Sequence, residues 1–283
     1  MGVLTALILR ERHCRTRQTG PVRDVTQVSA VTAGRISLPE VVLLPGLGNL
    51  SYVDRWVAKS SAWIKITVLD LPGWRSGHAS SCPPTIEGIA SAATRWLEDN
   101  DKRDLILLGH SSGAQSAIRV AVQVPERLTG LVLGGPVCTP EARSVIRALR
   151  RLFPTLKHES RDELPTLTST VRASGLPAMW RLVRSSLRDQ PEAYAGRVRV
   201  PAVVFTGEHD GLACPEWSQS LAELLHAPCL IHPGAHNGCF VHPGEVDQTL
   251  REAVTSILSR RGTPEPPSDI SDDSPDQLGS AHP

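Results

Sequence analysis

Short apolar runs alternate with longer segments of helical periodicity along most of the chain. Leu105–Leu108 is an unbroken apolar run, whereas Ile86–Glu98 carries apolar side chains every three or four positions. Short unbroken runs are typical of strands buried on both faces, and periodic segments are typical of helices that cover them. The pattern predicts an α/β fold with a mostly parallel central sheet and helices on both faces. The predicted strands are Val41–Leu44, Ile64–Leu69, Leu105–Leu108, Leu131–Leu133, Ala202–Phe205 and Cys229–His232.

The helices between and after these strands follow from the same periodicity. In front of the first strand, Val22–Val28 and Arg35–Leu38 are further apolar segments that could form an antiparallel hairpin. The predicted helices are Tyr52–Lys59, Ile86–Glu98, Ser112–Val124, Trp217–Leu225 and Glu245–Ser259.

One interval, 138–199, interrupts the alternation, because it contains no strand candidate. Glu141–Phe153 and Leu176–Leu187 have helical spacing instead. An insertion of helices between two buried strands predicts a small helical cap over the carboxyl edge of the sheet, where open α/β sheets hold ligands. We therefore expect a core formed by residues 21–137 and 200–260, with 138–199 as a cap insertion.

The two ends of the chain differ in charge. Residues 1–20 are rich in arginine and are predicted to be a flexible basic leader, while 261–283 is rich in Pro, Ser and Asp. A segment with so few large apolar side chains cannot offset its ordering entropy by burial, so we expect a disordered acidic tail. The apolar run at the N-terminus is too short to span a bilayer and lacks the features of a secretory signal. The expected location is cytoplasmic.

Composition excludes some classes of partner. The 283 residues carry a net charge of +1 and only 4% aromatic residues, which favours neither a nucleic acid nor a membrane as partner. The six cysteines form no CxxC pair, and no His, Cys and Asp residues have the spacing of a metal site. We predict no metal and no cofactor.

The most informative motif is Gly109-His110-Ser111-Ser112-Gly113, which matches G-x-S-x-G. It follows a predicted strand and precedes a predicted helix, as a nucleophile elbow requires. A sharp turn there would lift the Ser111 hydroxyl clear of the sheet and leave the Ser112 N–H at the helix N-terminus. A serine that merely caps a helix after a glycine turn is the alternative.

A nucleophilic serine needs a base and an acid that orients the base, and on this scaffold they follow in the order acid, then histidine. Asp210, in the loop after Ala202–Phe205, is the candidate acid, with Glu208 as competitor. After the last strand, His236 lies at a loop apex beside two glycines and is the candidate base. His232 should belong to the strand, and His242 precedes a proline at the helix entry.

The loop Pro45-Gly46-Leu47-Gly48-Asn49 follows the first predicted strand and is the candidate second half of an oxyanion hole. Its glycines would let the main chain approach a substrate carbonyl, with the Leu47 N–H paired to that of Ser112. Gly46 and His110 are predicted substrate contacts. A phosphate-binding loop is the rival, but the Lys-Ser/Thr pair and the G-x-G-x-x-G spacing are both missing.

Together these motifs resemble the α/β-hydrolase superfamily, and in particular its capped serine esterase, lactonase and C–C hydrolase branch. Leu69-Asp70-Leu71-Pro72-Gly73-Trp74-Arg75-Ser76-Gly77 is also similar to the D-x-P-G-x-G-x-S loop of that family. The resemblance spans about 22–258 and implies a nucleophile, acid and base at Ser111, Asp210 and His236. Two departures are Pro45-Gly46, where the family usually has His-Gly, and Arg75-Ser76, where a glycine is usual.

The resemblance implies a cofactor-independent serine hydrolase acting on an ester, lactone or thioester of a small molecule through an acyl-enzyme. An acyltransferase or C–C bond hydrolase with the same triad remains open, as does a noncatalytic ligand-binding protein on this scaffold. In the predicted cap, basic residues outnumber acidic ones by two to one. If some of these side chains face the cleft, an acidic carrier protein is a candidate partner, but solvated helix faces are the more usual meaning of such a charge run.

Overall fold

The six apolar runs predicted as strands all lie in one seven-stranded sheet of order β1-β3-β2-β4-β5-β6-β7. β2 through β7 run parallel, and only β1 is antiparallel, pairing with β3. The α/β-hydrolase fold class predicted from the sequence is confirmed. The strands are β1 (Ser29–Ala33), β2 (Val41–Leu44), β3 (Ile66–Asp70), β4 (Leu105–His110), β5 (Leu128–Gly134), β6 (Ala202–Gly207) and β7 (Cys229–His232).

The predicted strand boundaries differ from the observed ones by a few residues, and β1 was not predicted. The hairpin expected from Val22–Val28 and Arg35–Leu38 lies outside the described residues, apart from Leu38. The basic leader expected over 1–20 and the tail expected over 261–283 also lie outside the described residues, except that Arg261 ends the last helix. The computed structural model describes residues 29–33, 38–48, 50–74, 80–155, 157–159 and 175–261.

The helices follow the predicted periodicity closely. Thr85 caps the N-terminus of the second helix, since its side chain accepts a hydrogen bond from the Gly88 N–H at 3.0 Å. Pro215 and Pro243 each begin a helix at a position where the missing N–H costs nothing. The helices are α1 (Asp54–Ser60), α2 (Ile86–Asp99), α3 (Ser112–Gln123), α4 (Val145–Thr155), α5 (Leu176–Arg188), α6 (Glu192–Ala195), α7 (Pro215–Leu224), α8 (Gly238–Val241) and α9 (Pro243–Arg261).

Two hydrophobic layers cover the sheet, one on each face. Leu105 and Leu107 of β4 pack with α2, α3 and α7, while Ile106 and Leu108 pack with α1 and α9 on the other side. Alternate residues of one strand therefore serve opposite layers, as the pleat of a strand requires. Burial on both faces explains why β4 is unbroken and apolar.

The parallel register brings the carboxyl ends of the strands to one edge. Leu44 of β2 is paired with Gly109 of β4, and His110 with Gly134 of β5. The loops that follow these strands consequently meet around Ser111. Between β5 and β6, the described part of the predicted cap contains α4, α5 and α6 and no strand.

Candidate active site

Ser111 lies at a sharp turn between β4 and α3, with backbone angles φ 56° and ψ −125°. A positive φ is strained for a residue with a side chain, and such strain occurs where the fold holds a functional residue in place. Glycine is required on both sides of the turn because there is no room for a side chain. A Cβ added to Gly109 would lie 2.5 Å from the Ala114 Cα, and one added to Gly113 would lie 2.1 Å from the Leu44 carbonyl oxygen. The turn is thus packed too tightly for any larger residue beside Ser111.

The structure brings Ser111, His236 and Asp210 into one hydrogen-bonded chain. Ser111 Oγ lies 2.9 Å from His236 Nε2, and His236 Nδ1 lies 2.7 Å from Asp210 Oδ2. Asp210 is 2% exposed and its other oxygen accepts hydrogen bonds from the N–H groups of Leu212 and Ala213, both at 2.8 Å. Three residues far apart in sequence therefore converge at the carboxyl edge of the sheet.

The protonation of this chain follows from the environment of Asp210. Burial opposes ionisation of its carboxyl, but His236 and the two backbone donors outweigh burial and hold the pKa of Asp210 below its ordinary value. An ionised carboxylate can only accept hydrogen bonds, so His236 Nδ1 carries the proton. In the neutral imidazole, His236 Nε2 is then the acceptor for the Ser111 hydroxyl.

Glu208, His232 and His242, the other candidates for the acid and the base, have different contacts. Glu208 has a half-exposed side chain that lies 3.6 Å from His209. His232 Nδ1 donates to the Pro233 carbonyl oxygen at 2.8 Å, and His242 packs beside Gly234. Within the described residues, none of these three side chains hydrogen-bonds to Ser111 or His236.

The glycine loop after β2 lies against the serine. A Cβ added to Gly46 would lie 2.7 Å from Ser111 Cβ and 3.1 Å from its Oγ, so only glycine fits there. In the described part of the chain, the N–H groups of Leu47 and Ser112 have no hydrogen-bond partner. The Ser112 Oγ is buried without a partner as well. Two backbone donors without a partner in the described residues thus lie in the segments that adjoin Ser111, one next to Gly46 and one in the residue after the serine.

Tyr52 and His110 hold this glycine loop, and the sequence analysis did not identify Tyr52. The buried Tyr52 hydroxyl oxygen accepts a hydrogen bond from the Gly46 N–H at 2.7 Å and lies 3.2 Å from His110 Nδ1. Burial lowers the pKa of His110 to about 3, and its ring centroid lies 5.6 Å from that of His236. His110 is therefore neutral, and its Nδ1 can accept a hydrogen bond from the Tyr52 hydroxyl. No sequence motif marks Tyr52, because its role depends on a contact across 58 residues.

The insertion is attached to the loops that carry the acid and the base. Thr155, at the end of α4, accepts a hydrogen bond from the Gly211 N–H at 2.9 Å, next to Asp210. Glu159 accepts from the Asn237 N–H at 2.8 Å, next to His236. These contacts locate part of the insertion at the same edge of the sheet as the serine.

A third attachment joins the insertion to the helix that begins at the serine. Gln115 of α3 donates to the Ser186 carbonyl oxygen of α5 at 3.1 Å, and Ser186 Oγ donates back to Gln115 Oε1 at 2.5 Å. All of these atoms are buried. The position of α5 is therefore fixed relative to Ser111 through α3.

In the described ranges, no three His, Cys, Asp or Glu side chains lie close enough together to hold a metal ion. Of the helices in those ranges, none is both long and apolar enough to cross a bilayer.

Solved structures show which proteins share the fold. An enol-lactonase from Burkholderia xenovorans is 18% identical, with a TM-score of 0.64 over 82% of this chain and 96% of that one. An esterase from Thermogutta terrifontis is 18% identical, with a TM-score of 0.63 over 83% of this chain and 94% of that one. A hydrolase from Oleispira antarctica is 15% identical, with a TM-score of 0.69 over 82% and 96% of the two chains.

Sequence comparison identifies the family of the chain but finds no individual curated relative. No curated protein sequence matches the chain significantly. The family described as "Alpha/beta hydrolase family" has a sequence model that matches residues 41–272, which is most of the chain. The resemblance stated from the motifs is thereby confirmed, and the chain is a hydrolase enzyme that belongs to the α/β-hydrolase family.

Proposed function

We propose that this protein is a cofactor-independent serine hydrolase that cleaves a carboxylic ester, lactone or thioester of a small molecule through an acyl-enzyme. The observation that carries the proposal is the hydrogen-bonded chain from Ser111 through His236 to Asp210, at 2.9 and 2.7 Å. A serine hydroxyl is a weak nucleophile by itself, and a neutral imidazole at hydrogen-bonding distance is the base that activates it.

The reaction proceeds in two halves. Ser111 Oγ attacks the substrate carbonyl carbon while His236 Nε2 takes the hydroxyl proton, and the Asp210 carboxylate stabilises the resulting imidazolium. The tetrahedral intermediate expels its alcohol or thiol, which receives the proton from His236. Water then attacks the acyl-enzyme with His236 again as base, releasing the acid and restoring Ser111.

Negative charge develops on the carbonyl oxygen in both halves. We assign its stabilisation to the N–H groups of Leu47 and Ser112, since both lack a partner in the described residues. The Tyr52 bond to the Gly46 N–H supports this assignment, because it fixes the loop that carries Leu47. Preorganised donors stabilise an oxyanion without reorganising during the reaction.

The predicted substrate contacts of Gly46 and His110 are not equivalent. Gly46 adjoins Ser111 and can border a bound substrate. His110 is 3% exposed, contacts the Tyr52 hydroxyl and lies beside the His236 ring. We therefore propose that His110 acts as a positioning residue, and its contact with substrate stays an untested prediction.

The insertion is proposed to act as a cap. Its attachment next to Asp210 and next to His236 supports this role, because those loops border the serine. Two structural neighbours, an enol-lactonase and an esterase, have names consistent with acyl chemistry. At 18% identity, the likeness to them shows a shared fold only. An acidic carrier protein at the basic cap and a cytoplasmic location remain predictions.

Covalent labelling tests the nucleophile directly. A fluorophosphonate probe should label wild-type protein at Ser111, and Ser111→Ala should lose labelling and about 10⁴-fold or more of its turnover on p-nitrophenyl acetate. The control is Ser112→Ala, which keeps the backbone N–H and removes a buried hydroxyl that has no partner. It should retain near wild-type labelling.

The same experiment separates the alternatives. Absence of labelling in folded wild-type protein would favour a noncatalytic ligand-binding protein. Equal losses of labelling and turnover in Ser111→Ala and Ser112→Ala would indicate that Ser111 only caps the helix. An acyltransferase would label at Ser111 but transfer the acyl group to an added alcohol faster than to water. A C–C bond hydrolase would label and prefer an activated ketone.

A further inference from the structure

An arginine-rich cleft lies on the flank of the protein, where the insertion packs against α2 and α3. It has a volume of about 620 Å³. Its walls are the first turn of α2, the middle of α3, one face of α5 and the segment that contains α6. The five arginines that line it are Arg119, Arg181, Arg184, Arg188 and Arg197.

Arg119 is the cation that both carboxylates of the cleft contact. Its Nε donates to Asp189 Oδ1 at 3.1 Å and a terminal nitrogen contacts the same oxygen. That terminal nitrogen also lies 3.2 Å from Glu87 Oε1. Within the described residues, the other four arginines have no carboxylate at ion-pair distance. The described lining therefore carries five guanidiniums against two carboxylates, an excess of positive charge.

Three of these arginines lie on one face of α5. Arg181, Arg184 and Arg188 are separated by three and four residues, the spacing of neighbours on a helix surface. Like charges at that spacing destabilise a helix. A bound anion would reduce this repulsion, so a ligand would stabilise the arrangement.

We propose that this cleft binds a small ligand that carries two or more phosphate groups. A guanidinium binds phosphate through parallel hydrogen bonds. Several guanidiniums side by side offer more N–H donors than a single carboxylate can accept. A nucleic acid strand fits less well. Tyr194 is the aromatic residue of the described lining, and the guanidiniums of Arg119 and Arg197 lie 4.2 and 5.7 Å from its ring centroid, so cations already occupy positions where a base would stack.

The cleft has a fixed position relative to Ser111. Arg119 follows Ser112 by seven residues of α3, which corresponds to about 11 Å along the helix axis. Gln115, between them, is bonded to both Ser186 and Asp189 of the arginine-bearing segment. The phosphate groups have two possible sources. A long substrate could place its phosphates in the cleft and its acyl group at Ser111, or the phosphates could belong to a separate ligand.

Calorimetric titration with inorganic pyrophosphate tests the site, and Ser111→Ala protein can be used because binding does not depend on the proposed hydrolysis. Arg181→Gln combined with Arg184→Gln should weaken binding by about tenfold for each arginine removed. Arg150→Gln combined with Arg199→Gln is the control, since both are exposed and lie outside the lining. The control should bind as the unsubstituted protein does.

Two results would overturn the proposal. One is no pyrophosphate binding at about 50 mM salt, where electrostatic binding is strong. The other is an equal loss of affinity in the double variant and in its control. Circular dichroism of each variant shows that the fold is kept.

Steady-state kinetics distinguish the two sources, and this step rests on the proposed function. If the phosphates belong to the substrate, Arg181→Gln with Arg184→Gln should raise KM for acetyl-coenzyme A and leave p-nitrophenyl acetate hydrolysis unchanged. If pyrophosphate binds but the thioester is hydrolysed no better than p-nitrophenyl acetate, the cleft serves a separate ligand. Inactivity towards both compounds would count against the proposed function and leave the binding result standing.

Discussion

The turn around Ser111 and the insertion between β5 and β6 follow opposite packing rules. Around Ser111, glycines at 46, 109 and 113 face neighbours so close that no Cβ fits. In the insertion, large apolar side chains face solvent. Ile146 is 67% exposed, Phe153 is 68% exposed and Trp180 is 51% exposed.

This difference shows what amphipathic periodicity means in each region. Apolar spacing in α3 corresponds to burial, as Ile118 and Val120 are both 0% exposed. The equally regular spacing in α4 predicted a helix correctly, but its apolar residues are largely exposed. Periodicity therefore predicts a helix, whereas burial of its apolar face depends on a surface that packs against it.

The largest effect should come from the acid of the hydrogen-bonded chain. Asp210→Asn removes the charge that stabilises the imidazolium and favours the wrong tautomer of His236. We expect kcat on p-nitrophenyl acetate to fall about 10⁴-fold. Glu208→Gln, on the same loop with a half-exposed side chain, should change kcat by less than about twofold. Comparable losses in both variants would show that Asp210 has no special role.

A glycine exchange compares the two regions directly. Gly46→Ala would force a Cβ to within 2.7 Å of Ser111 Cβ, and displacing the nucleophile should lower kcat/KM by about 100-fold or more. Gly196→Ala in the insertion would meet nothing within 4 Å, and its φ of −66° suits alanine. It should keep full activity and gain about 0.4–1 kcal/mol in the free energy of unfolding. Full activity of Gly46→Ala would contradict the tight packing of the turn.

A smaller effect is expected from Tyr52→Phe. This change leaves the Gly46 N–H without its acceptor and His110 Nδ1 without its donor. We expect kcat to fall about tenfold and the free energy of unfolding to fall by about 1–3 kcal/mol.

Trp63→Phe is the control for Tyr52→Phe. It removes the hydrogen bond from Trp63 Nε1 to Asp247 Oδ1, 2.8 Å long, before the start of β3 and away from Ser111. Stability should fall while kcat stays unchanged. If kcat falls to the same extent in both variants, Tyr52 acts only through stability.

The smallest effect should be found in the insertion. Phe153→Ser removes a ring that is 68% exposed, so urea denaturation should change the free energy of unfolding by less than about 0.5 kcal/mol. Ile118→Ala, fully buried in α3, should cost about 2–5 kcal/mol. A large loss for Phe153→Ser would mean that the α4 surface is covered in solution.

Some of the candidate site could be predicted from the sequence because its chemistry follows the strand order. Ser111, Asp210 and His236 each occupy a loop directly after an apolar run, and parallel strands bring such loops to one edge. Glu208, His232 and His242 were weaker candidates on the same reasoning, and the structure places them elsewhere. The roles assigned to the Leu47 and Ser112 amides remain predictions.

The sequence by itself determined the succession of β2 to β7 and the main helices along the chain, the turn at Ser111 and the three residues of the hydrogen-bonded chain. Local periodicity and the positions of glycines carry that information. The tertiary structure decided the antiparallel pairing of β1, the Tyr52–His110 support of the glycine loop and the exposure of α4. Within the described residues, it also leaves four arginines of the cleft without a carboxylate partner. These features depend on which distant side chains come into contact, and a single sequence does not encode such distances in any local pattern.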